Sequence, residues 1–417
     1  MSLFGVLDGV DHALGGESLC VSTTAGSNLA SIATNSKQST MSTRAGRIEQ
    51  TGRPNRMGAV GESSTVTRLG RHEERRFGAA ELTTVTTDVL QAMGTPRPTA
   101  ELVAESLVLS NLVGHDSHGI VRLVQYWDWV KNGQIRPAEA PHVVSERGAV
   151  ATVDGRWGFG QPAAQMAAEL VRRLASRHGV GVVTIKSCNH IGRLGEYVTT
   201  LARAGQMGMA FCNSGPAVAP FGGVGRVMGT NPFAWSCPLR EELVVLDFAT
   251  SKVAEGKLKI ALAEGHKAPG GSIVDANGLL TDDPAAFYAG GALTSFGEHK
   301  GSGMSMLIEL TAGLMSAMGT SCDPTYLGGN GTVILAVDIA AFVGLEWYLE
   351  RAEVFHREAR RIGTGPNGAE VLFPGEVESR TLEDRRNEGV PVPSDIRRQV
   401  TAVADEVGVG VGLFALR

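Results

Sequence analysis

The sequence predicts an α/β fold, and three observations lead to this prediction. Short β-rich runs alternate with helical patterns from about residue 150 onward, which is typical of an α/β domain with a largely covered sheet. The length of 417 residues suggests more than one ordinary core. The segment Gly158–Ala163 matches GxGxxA, but the next strand ends in Lys186-Ser187-Cys188 and lacks the acidic residue of a standard Rossmann site. We therefore do not expect a standard Rossmann site at these glycines.

The first predicted elements follow a segment of different composition. Residues 1–75 are dense in Ser, Thr, Gly and Asn without a sustained apolar period, so we expect a disordered low-complexity extension. Two helices are then predicted, from Ala79 to Met93 and from Thr99 to Val113. Thr99 is the expected N-cap of the second helix, and Gly114 is its expected stop.

The middle and C-terminal parts supply strands and further helices. The predicted strands are GAVATVDG, VGVVTIKS, GMAFCN, LVVLDFAT and TVILAVDIA. The predicted helices are PAAQMAAELVRRLASRHG, Gly195–Ala204, Gly301–Met318 and Leu345–Ile362. These elements give the alternation on which the α/β prediction rests.

Composition and charge exclude several classes of protein. The net charge of −5 at pH 7 gives no reason to expect a nucleic acid or an anionic membrane as a partner. No uninterrupted apolar run approaches the ~20 residues that span a bilayer, and Asp8 and Asp11 interrupt the stretch where a signal peptide is apolar. Five scattered cysteines without a CxxC pair argue against a disulfide framework or a zinc module. We expect a cytoplasmic protein.

The stretch Val113–Tyr126 carries the densest set of chemically useful side chains. If a helix begins near Gly119, then His118, Arg122 and Tyr126 recur every fourth residue and share one face. The buried face is then expected to hold Ile120, Leu123, Val124, Trp127 and Val130. A proton donor, a guanidinium and a phenol on one face suit an enzyme that holds and reduces a small oxo-acid. The alternative is a helix start whose polar residues cap it and face water.

A second dense stretch, NHIGRLGEY, places His190 directly after a predicted strand. α/β proteins usually bind ligands at such strand ends, although a lone histidine can equally be structural. His115 and His118 have the spacing of half a metal site, but no further ligand lies at a recognised spacing. We therefore expect no metal.

Two later turns have features of anion-binding sites. Leu246–Ser251 joins a strand to a helix through hydroxyl side chains, which can cap the helix and leave N–H groups for a phosphate. Phe296–Gly303 places Lys300 among glycines at a helix N-terminus, which suits a phosphate or a carboxylate. An ordinary N-cap is the alternative for the first turn.

Seven motifs, taken together and in this order, resemble the malate/L-lactate dehydrogenase family that is unrelated to the Rossmann-type enzymes. They are GHDSHGIVRLVQY, NHIGRLGEY, GTNPFAWSCP, DFATSKVAEGK, the turn Thr281–Pro284, GEHKGSGM and LFPGE, and they cover roughly residue 77 to the C-terminus. The family also includes sulfolactate and ureidoglycolate dehydrogenases, diketogulonate reductases and cyclic-imine reductases. The resemblance implies a homodimeric oxidoreductase that uses NAD or NADP and interconverts a small 2-oxo acid and its 2-hydroxy acid.

The resemblance also implies the fold and its division. We expect a sulfolactate dehydrogenase-like, non-Rossmann dinucleotide-binding α/β fold with a helical domain built from both chain ends. Residues 76–150 would form an N-terminal helical substrate-side region, and residues 151–335 an α/β dinucleotide-binding region. Residues 336–417 would form a C-terminal helical region that packs back on the N-terminal part.

Residue roles follow from the matching positions. His118 is a candidate proton donor to the substrate carbonyl, and His190 aligns with a family active-site histidine, so this role stays open between them. Ser117, Arg122 and Tyr126 would contact the substrate. The residues expected to contact the dinucleotide are Ser214, Asp247, Phe248, Ala249, Thr250, Ser251, Lys300, Gly375 and Glu376. In the expected mechanism hydride passes from the nicotinamide to C2 of the substrate, while a histidinium supplies the proton.

The chain departs from the family pattern around the cofactor side. Ser302 stands where an aromatic residue is usual, TDDP replaces the commoner TTDP, and GGSIVD replaces a GWAxD-like turn. Three alternatives to the hydroxy acid dehydrogenase stay open. They are a cyclic imino-acid reductase, a catalytically silent dinucleotide-binding relative and a metal-dependent lyase.

Overall fold

The computed structural model of the chain describes residues 75–363, 365, 368 and 370–410. The predicted extension over residues 1–75 therefore lies outside the described residues, apart from Arg75. The helices are α1 (Ala79–Ala92), α2 (Arg97–Leu112), α3 (Arg122–Lys131), α4 (Gly160–His178), α5 (Leu194–Arg203), α6 (Glu255–Glu264), α7 (Pro284–Tyr288), α8 (His299–Ile308), α9 (Leu345–Arg361), α10 (Glu376–Glu388) and α11 (Ser394–Glu406). The strands are β1 (Arg75–Phe77), β2 (His142–Arg147), β3 (Val150–Asp154), β4 (Val180–Lys186), β5 (Gln206–Cys212), β6 (Pro232–Pro238), β7 (Leu243–Ala249), β8 (Ile273–Val274), β9 (Leu280–Thr281), β10 (Ala292–Leu293), β11 (Thr332–Asp338) and β12 (Val390–Val392).

The largest sheet has seven strands in the order β2-β3-β4-β11-β5-β6-β7. Strands β3 and β4 run parallel, and the other neighbouring pairs of this sheet are antiparallel. A Rossmann fold has a mostly parallel sheet, so the predicted non-Rossmann α/β class is confirmed. A three-stranded sheet, β10-β8-β9, accompanies the large sheet.

Helices cover both faces of the large sheet. The core on one face combines α4 and α5 with inward residues of β3, β4, β5 and β11. A Cβ at Gly181 in β4 would lie 2.7 Å from the carbonyl oxygen of Val171, so the close approach of α4 depends on glycine there. On the other face Ile308 and Ala312 pack against Val333. The expectation of a largely covered sheet holds.

A second core joins the two ends of the described chain. Strand β1 pairs antiparallel with β12, and residues of α1, α2 and α3 share one buried cluster with Val390, Val400 and Val403. The helical domain built from both chain ends is therefore confirmed. None of the described helices combines the length and the apolar character that a membrane-spanning helix requires.

Most predicted elements are present, but two helix starts were wrong. Helix α2 begins at Arg97, so Thr99 lies inside the helix and is not its N-cap. The third helix begins at Arg122 and not near Gly119, because Gly119 is extended (φ −87°, ψ −153°) after a short 3₁₀ turn over Asp116–His118. The predicted buried face was also incomplete, since Tyr126 is fully buried.

The long helix predicted over Gly301–Met318 is interrupted. Helix α8 begins at His299, and a π-helical turn replaces the α-helix over Glu309–Gly313. The wider π turn is often found at functional sites. It places the carboxylate of Glu309 inside the protein, where it is 5% exposed.

Candidate active site

Two histidines from separate motifs face each other in the described structure. The rings of His118 and His190 are stacked, with centroids 5.5 Å apart and an interplanar angle of 23°. The hydroxyl of Tyr126 lies 2.8 Å from Nδ1 of His190, and Nε2 of Gln161 donates to the same hydroxyl over 2.7 Å. The fold thus brings together one side chain from each of four segments.

The turn that carries His118 is fixed by Asn111 on α2. Nδ2 of Asn111 donates to Asp116 over 2.6 Å, and its Oδ1 accepts from the backbone N–H of Ile120 over 2.9 Å. Arg385 on α10 donates to both carboxylate oxygens of Asp116, over 2.7 and 3.0 Å. The His118 turn is therefore clamped from the helix before it and from the C-terminal helix.

The turn that carries His190 follows β4 and is fixed by its neighbour Asn189. The buried amide of Asn189 donates to the carbonyl oxygens of Gln134, Trp157 and Gly158, over 3.1, 2.9 and 2.9 Å. A Cβ at Gly160 would lie 2.5 Å from the carbonyl oxygen of His190. The second glycine of the GxGxxA match thus allows α4 to start against this turn, and a Cβ at the first, Gly158, would lie 2.5 Å from the carbonyl oxygen of Glu139. Close backbone packing therefore explains both glycines without a phosphate.

Arg122 lies in the first turn of α3, and Tyr126 follows one turn later. Nε of Arg122 donates to the carbonyl oxygen of Ser117 over 2.7 Å, and one terminal nitrogen donates to Gln125 over 2.6 Å. Oγ of Ser117 lies 3.1 Å from Nδ1 of His118. Although the helix starts later than predicted, the proposed substrate-side residues still lie together.

Burial and positive charge set the protonation of this cluster. Burial, and then the charges of Arg122, His115 and Arg193, lower the pKa of His118 to about 3. Burial, Arg122 and His118 lower the pKa of His190 well below its usual value. Burial raises the pKa of Tyr126 to about 12. At neutral pH both imidazoles are therefore neutral and the phenol is protonated, so the expected histidinium is not the resting state.

Two predicted cofactor residues, Ser214 after β5 and Thr250 after β7, are joined through Thr230, which precedes β6 and was not predicted. The backbone N–H and Oγ1 of Thr250 both donate to the carbonyl oxygen of Thr230, over 2.9 and 3.0 Å. The N–H of Thr230 donates to Oγ of Ser214 over 3.2 Å. Ser251 forms an isolated β-bridge with Ser295, and its hydroxyl donates to the carbonyl oxygen of Val253 over 2.9 Å.

The other predicted residues of the β7 strand have different surroundings. The carboxylate of Asp247 accepts from the backbone N–H of Gly195 over 2.7 Å, which ties β7 to the first turn of α5. Burial raises the pKa of Asp247, and the charge of Arg193 opposes that shift. The rings of Phe248 and Phe296 pack edge to face, with their centroids 5.2 Å apart. Ala249 pairs with Pro232 at the end of the β6–β7 ladder.

The remaining predicted cofactor residues lie on two further elements. Lys300 is exposed in the first turn of α8. Gly375, with φ +96°, precedes α10, and the carbonyl oxygen of Pro374 accepts from Val245 in β7 over 2.9 Å. The side chain of Glu376 forms ion pairs with Arg360 and, over 3.6 Å, with Arg380.

His115, whose spacing from His118 is that of half a metal site, has another partner. Nε2 of His115 lies 3.2 Å from a carboxylate oxygen of Glu378. Among the described residues, one group with spacing suited to a metal ion is Glu242, His356 and Glu376. The carboxylate of Glu376 forms an ion pair with Arg360, so we interpret this group as an ion-pair cluster.

Sequence reasoning missed two polar residues of the site region. Gln161 stood inside the GxGxxA match and was assigned no role. Glu309 stood inside the helix predicted over Gly301–Met318 and was also assigned no role, yet its carboxylate accepts five hydrogen bonds from Asn213, Gly229, Asn231 and Ser321. The available signal was a single acidic residue in the apolar run MSMLIELTAGLM, because a buried charge needs a full set of partners.

The chain is similar to a known family over most of its length. A family model described as malate/L-lactate dehydrogenase matches residues 77–401. A malate dehydrogenase of Pyrococcus abyssi is 32% identical over 345 residues, which are 80% of this chain and 95% of the relative. The sequence motifs and these similarities agree.

Solved structures are similar as well. A sulfolactate dehydrogenase from Methanocaldococcus jannaschii has a TM-score of 0.73 at 31% identity, covering 80% of this chain and 98% of that one. A Δ1-piperideine-2-carboxylate reductase from Pseudomonas syringae has a TM-score of 0.72 at 28% identity, covering 79% of this chain and 100% of that one. The expected sulfolactate dehydrogenase-like fold is confirmed.

Proposed function

The chain belongs to the malate/L-lactate dehydrogenase family, and from this premise we propose that it is an NAD- or NADP-dependent dehydrogenase. Its proposed reaction interconverts a small 2-oxo acid and the corresponding 2-hydroxy acid at the CH–OH group. The observation that carries this proposal is the pair of stacked imidazoles, His118 and His190, beside the guanidinium of Arg122. This set combines groups that move a proton with a group that binds a carboxylate.

Arg122 orients the substrate in this proposal. Charge-assisted hydrogen bonds from a guanidinium hold a carboxylate in one plane, which places the neighbouring C2 and its oxygen beside the two imidazoles. Ser117 and Tyr126 support this arrangement through their contacts with His118 and His190. The substrate-side role of residues 76–150 rests on the same residues.

The proton moves between the substrate oxygen and one of the two imidazoles. In the oxidation direction, a neutral imidazole accepts the hydroxyl proton as hydride leaves C2. In the reduction direction, the same imidazole must first be protonated. A bound carboxylate offsets the charge of Arg122, which is one cause of the low pKa of both histidines. Substrate binding should therefore raise the pKa of both histidines and favour proton uptake.

The cofactor side fits a dinucleotide. The hydroxyls of Ser214, Thr250 and Ser251 cluster near the end of β7, and the buried hydroxyl of Ser295 beside them has no hydrogen-bond partner among the described residues. The exposed ammonium of Lys300 suits a phosphate. When bound, the nicotinamide supplies or accepts the hydride. Asp247, Phe248, Ala249, Gly375 and Glu376 complete the proposed set on β7 and at the start of α10.

A cyclic imino-acid reductase is the second candidate function. The observation that favours it is the structural similarity to Δ1-piperideine-2-carboxylate reductase. The same groups serve a C=N bond, because an imino acid also carries a carboxylate beside the reduced carbon. A catalytically silent relative is less well supported, since both histidines and Arg122 are present together.

One screen separates these candidates. The full-length protein is mixed with NADH or NADPH and with a panel of 2-oxo acids and cyclic imino acids, and loss of absorbance of the reduced nicotinamide is followed. We expect turnover of at least one 2-oxo acid, unchanged by a chelator. Turnover of imines alone favours the second candidate, whereas dinucleotide binding without turnover indicates the silent relative. Loss of activity on chelation indicates metal-dependent chemistry.

We also infer a homodimer. Apolar side chains on the exposed side of α8 and the turn after it support this inference, since Leu310 is 61% and Leu314 is 50% exposed and large apolar patches mark interaction sites. Light scattering on the full chain should give twice the monomer mass. The variant Leu310→Glu should shift the measured mass towards that of the monomer. The cytoplasmic location stays a prediction, which the free thiols of the four described cysteines support.

A further inference from the structure

Three buried or partly buried groups form a chain of hydrogen bonds that ends at His190. Gln161 and Tyr126 are both 0% exposed. Nε2 of Gln161 lies 2.7 Å from the Tyr126 hydroxyl, which lies 2.8 Å from Nδ1 of His190. The three groups are in direct hydrogen-bond contact, so the hydrogen in each bond must come from one of the two groups that the bond joins.

Counting the hydrogens determines the direction of this chain. An amide nitrogen can only donate, so Gln161 gives a hydrogen to the oxygen of Tyr126. The phenol keeps its own hydrogen, because burial raises its pKa to about 12. A buried hydroxyl hydrogen without a partner is costly, and Nδ1 of His190 is the acceptor within reach of it, so we infer that Nδ1 accepts this hydrogen. A neutral imidazole with an accepting Nδ1 carries its hydrogen on Nε2.

The direction of these hydrogen bonds depends on the orientation of the Gln161 amide. As placed, its Oε1 is buried without a partner. The reverse orientation would satisfy Oε1 at Tyr126 but would leave a buried amino group with two unpaired N–H groups. Buried carbonyl oxygens without a partner are tolerated more often than buried N–H groups, so the orientation shown is favoured.

We propose that Gln161 is a positioning residue that acts through Tyr126 to hold His190 as its Nε2–H tautomer. His190 then presents an N–H donor to the substrate oxygen. The proposal rests on the proposed function for this last step, whereas the tautomer itself is a property of the protein without substrate. Gln161 lies in the first turn of α4, so the start of that helix sets the hydrogen-bonding state of a residue after β4.

The tautomer is measured directly by nuclear magnetic resonance. The full chain is labelled with ¹⁵N-histidine, and the His190 signal is identified by its loss in His190→Asn. We expect the wild-type protein without ligand to show Nε2 protonated and Nδ1 unprotonated at neutral pH. A wild-type signal with Nδ1 protonated overturns the proposal.

Two variants and a matched control test the role of Gln161. Gln161→Met removes the donor, so both tautomers of His190 should become populated, and Tyr126→Phe should do the same by removing the hydroxyl. Gln206→Met is the control, because Gln206 is also buried and bonds to Arg172 and Ser176 of the same helix. Its loss should lower stability without changing the tautomer. An unchanged tautomer in Gln161→Met overturns the proposal, and if Gln161→Met does not fold, an unchanged tautomer in Tyr126→Phe overturns it.

Kinetics give a second readout. Gln161→Met should lower kcat by about tenfold or more, the scale of one lost orienting hydrogen bond, and leave the Kd of the dinucleotide unchanged. Gln206→Met should keep kcat. Absence of 2-oxo acid turnover in the wild-type protein contradicts the proposed function, but the tautomer measurement still decides the role of Gln161.

Discussion

Replacing Gly119 with alanine should release the turn that carries His118. Gly119 has ordinary backbone angles, so the reason for glycine is space. A Cβ there would lie 2.1, 2.3 and 2.4 Å from the three terminal atoms of the Asn111 side chain. These distances are far below van der Waals contact, so the buried Asn111 amide must leave its place.

The energetic cost follows from the two bonds that Asn111 makes. Losing the bond to the Asp116 carboxylate costs about 1.5–3 kcal/mol, and leaving the Ile120 N–H buried without a partner costs about 1–3 kcal/mol. Alanine recovers about 0.4–1 kcal/mol by restricting the unfolded chain. We expect Gly119→Ala to lower the free energy of unfolding by about 1.5–5.5 kcal/mol. Displacement of His118 by about 1 Å should lower kcat/KM by about 100-fold.

Urea denaturation measures the free energy of unfolding, and a double-mutant cycle tests the cause. Asn111→Ala removes the clashing side chain, so adding Gly119→Ala to it should cost far less than Gly119→Ala alone. Gly303→Ala is the control, because no atom lies within 4 Å of a Cβ at that position in α8. Equal costs for Gly119→Ala with and without Asn111 would refute the steric argument, as would a Gly119→Ala variant as stable as Gly303→Ala.

Further predictions concern the site directly. Arg122→Lys should raise the KM for the 2-oxo acid about 10- to 100-fold, since lysine cannot form the paired bonds, while fluorescence titration should show unchanged dinucleotide affinity; the reverse pattern would place Arg122 on the cofactor side. Replacing the proton-transferring member of the pair His118 and His190 with Asn should lower kcat by about 100-fold or more and remove an inflection from the pH–rate profile. If His118→Asn and His190→Asn each keep the wild-type kcat and the inflection, the mechanism is contradicted. The free energy of unfolding should decrease as pH falls from about 6.5 towards 3, because unfolded His118 binds a proton that folded His118, with its pKa of about 3, does not. Denaturation at about pH 5.5 and 7 should show that the free energy of unfolding changes less with pH in His118→Asn than in the wild-type protein, by at most ~1.4 kcal/mol per pH unit. Glu309→Gln should lower the free energy of unfolding by about 2–4 kcal/mol, because one carboxylate oxygen becomes an amino group facing N–H donors. It should also weaken dinucleotide binding, because Asn231 donates to Glu309 and accepts from the backbone N–H of Ser214; wild-type values for both measurements would contradict this reasoning.

Local pattern determined most of the fold that the sequence revealed. Strands β4 and β5 and helices α4 and α9 have strong apolar periods or long runs and were predicted within a few residues. Strand β2 was missed because all six of its residues are exposed, so it has no alternation to read. Helix α10 was missed for a related reason, since its sequence EVESRTLEDRRNE contains only two apolar residues, Val377 and Leu382, and so shows no apolar period.

The site was predicted as two motifs, but not as one arrangement. The period of four correctly joined Arg122 and Tyr126, although the extended Gly119 moved the helix start. The contact of Tyr126 with His190 spans 64 positions, and no local pattern carries information about it. The low pKa of both histidines depends on burial that only the folded chain supplies.

The clamp on the His118 turn has a consequence for protein synthesis. Arg385 binds Asp116 across 269 positions, and the core beneath this turn includes Val400 and Val403. The seven-stranded sheet, by contrast, is complete once Asp338 has emerged. A growing chain can therefore form its sheet on the ribosome while the His118 turn still lacks part of its core. At about 5–20 residues per second, a newly made molecule has a finished scaffold for several seconds before it can have a finished candidate site.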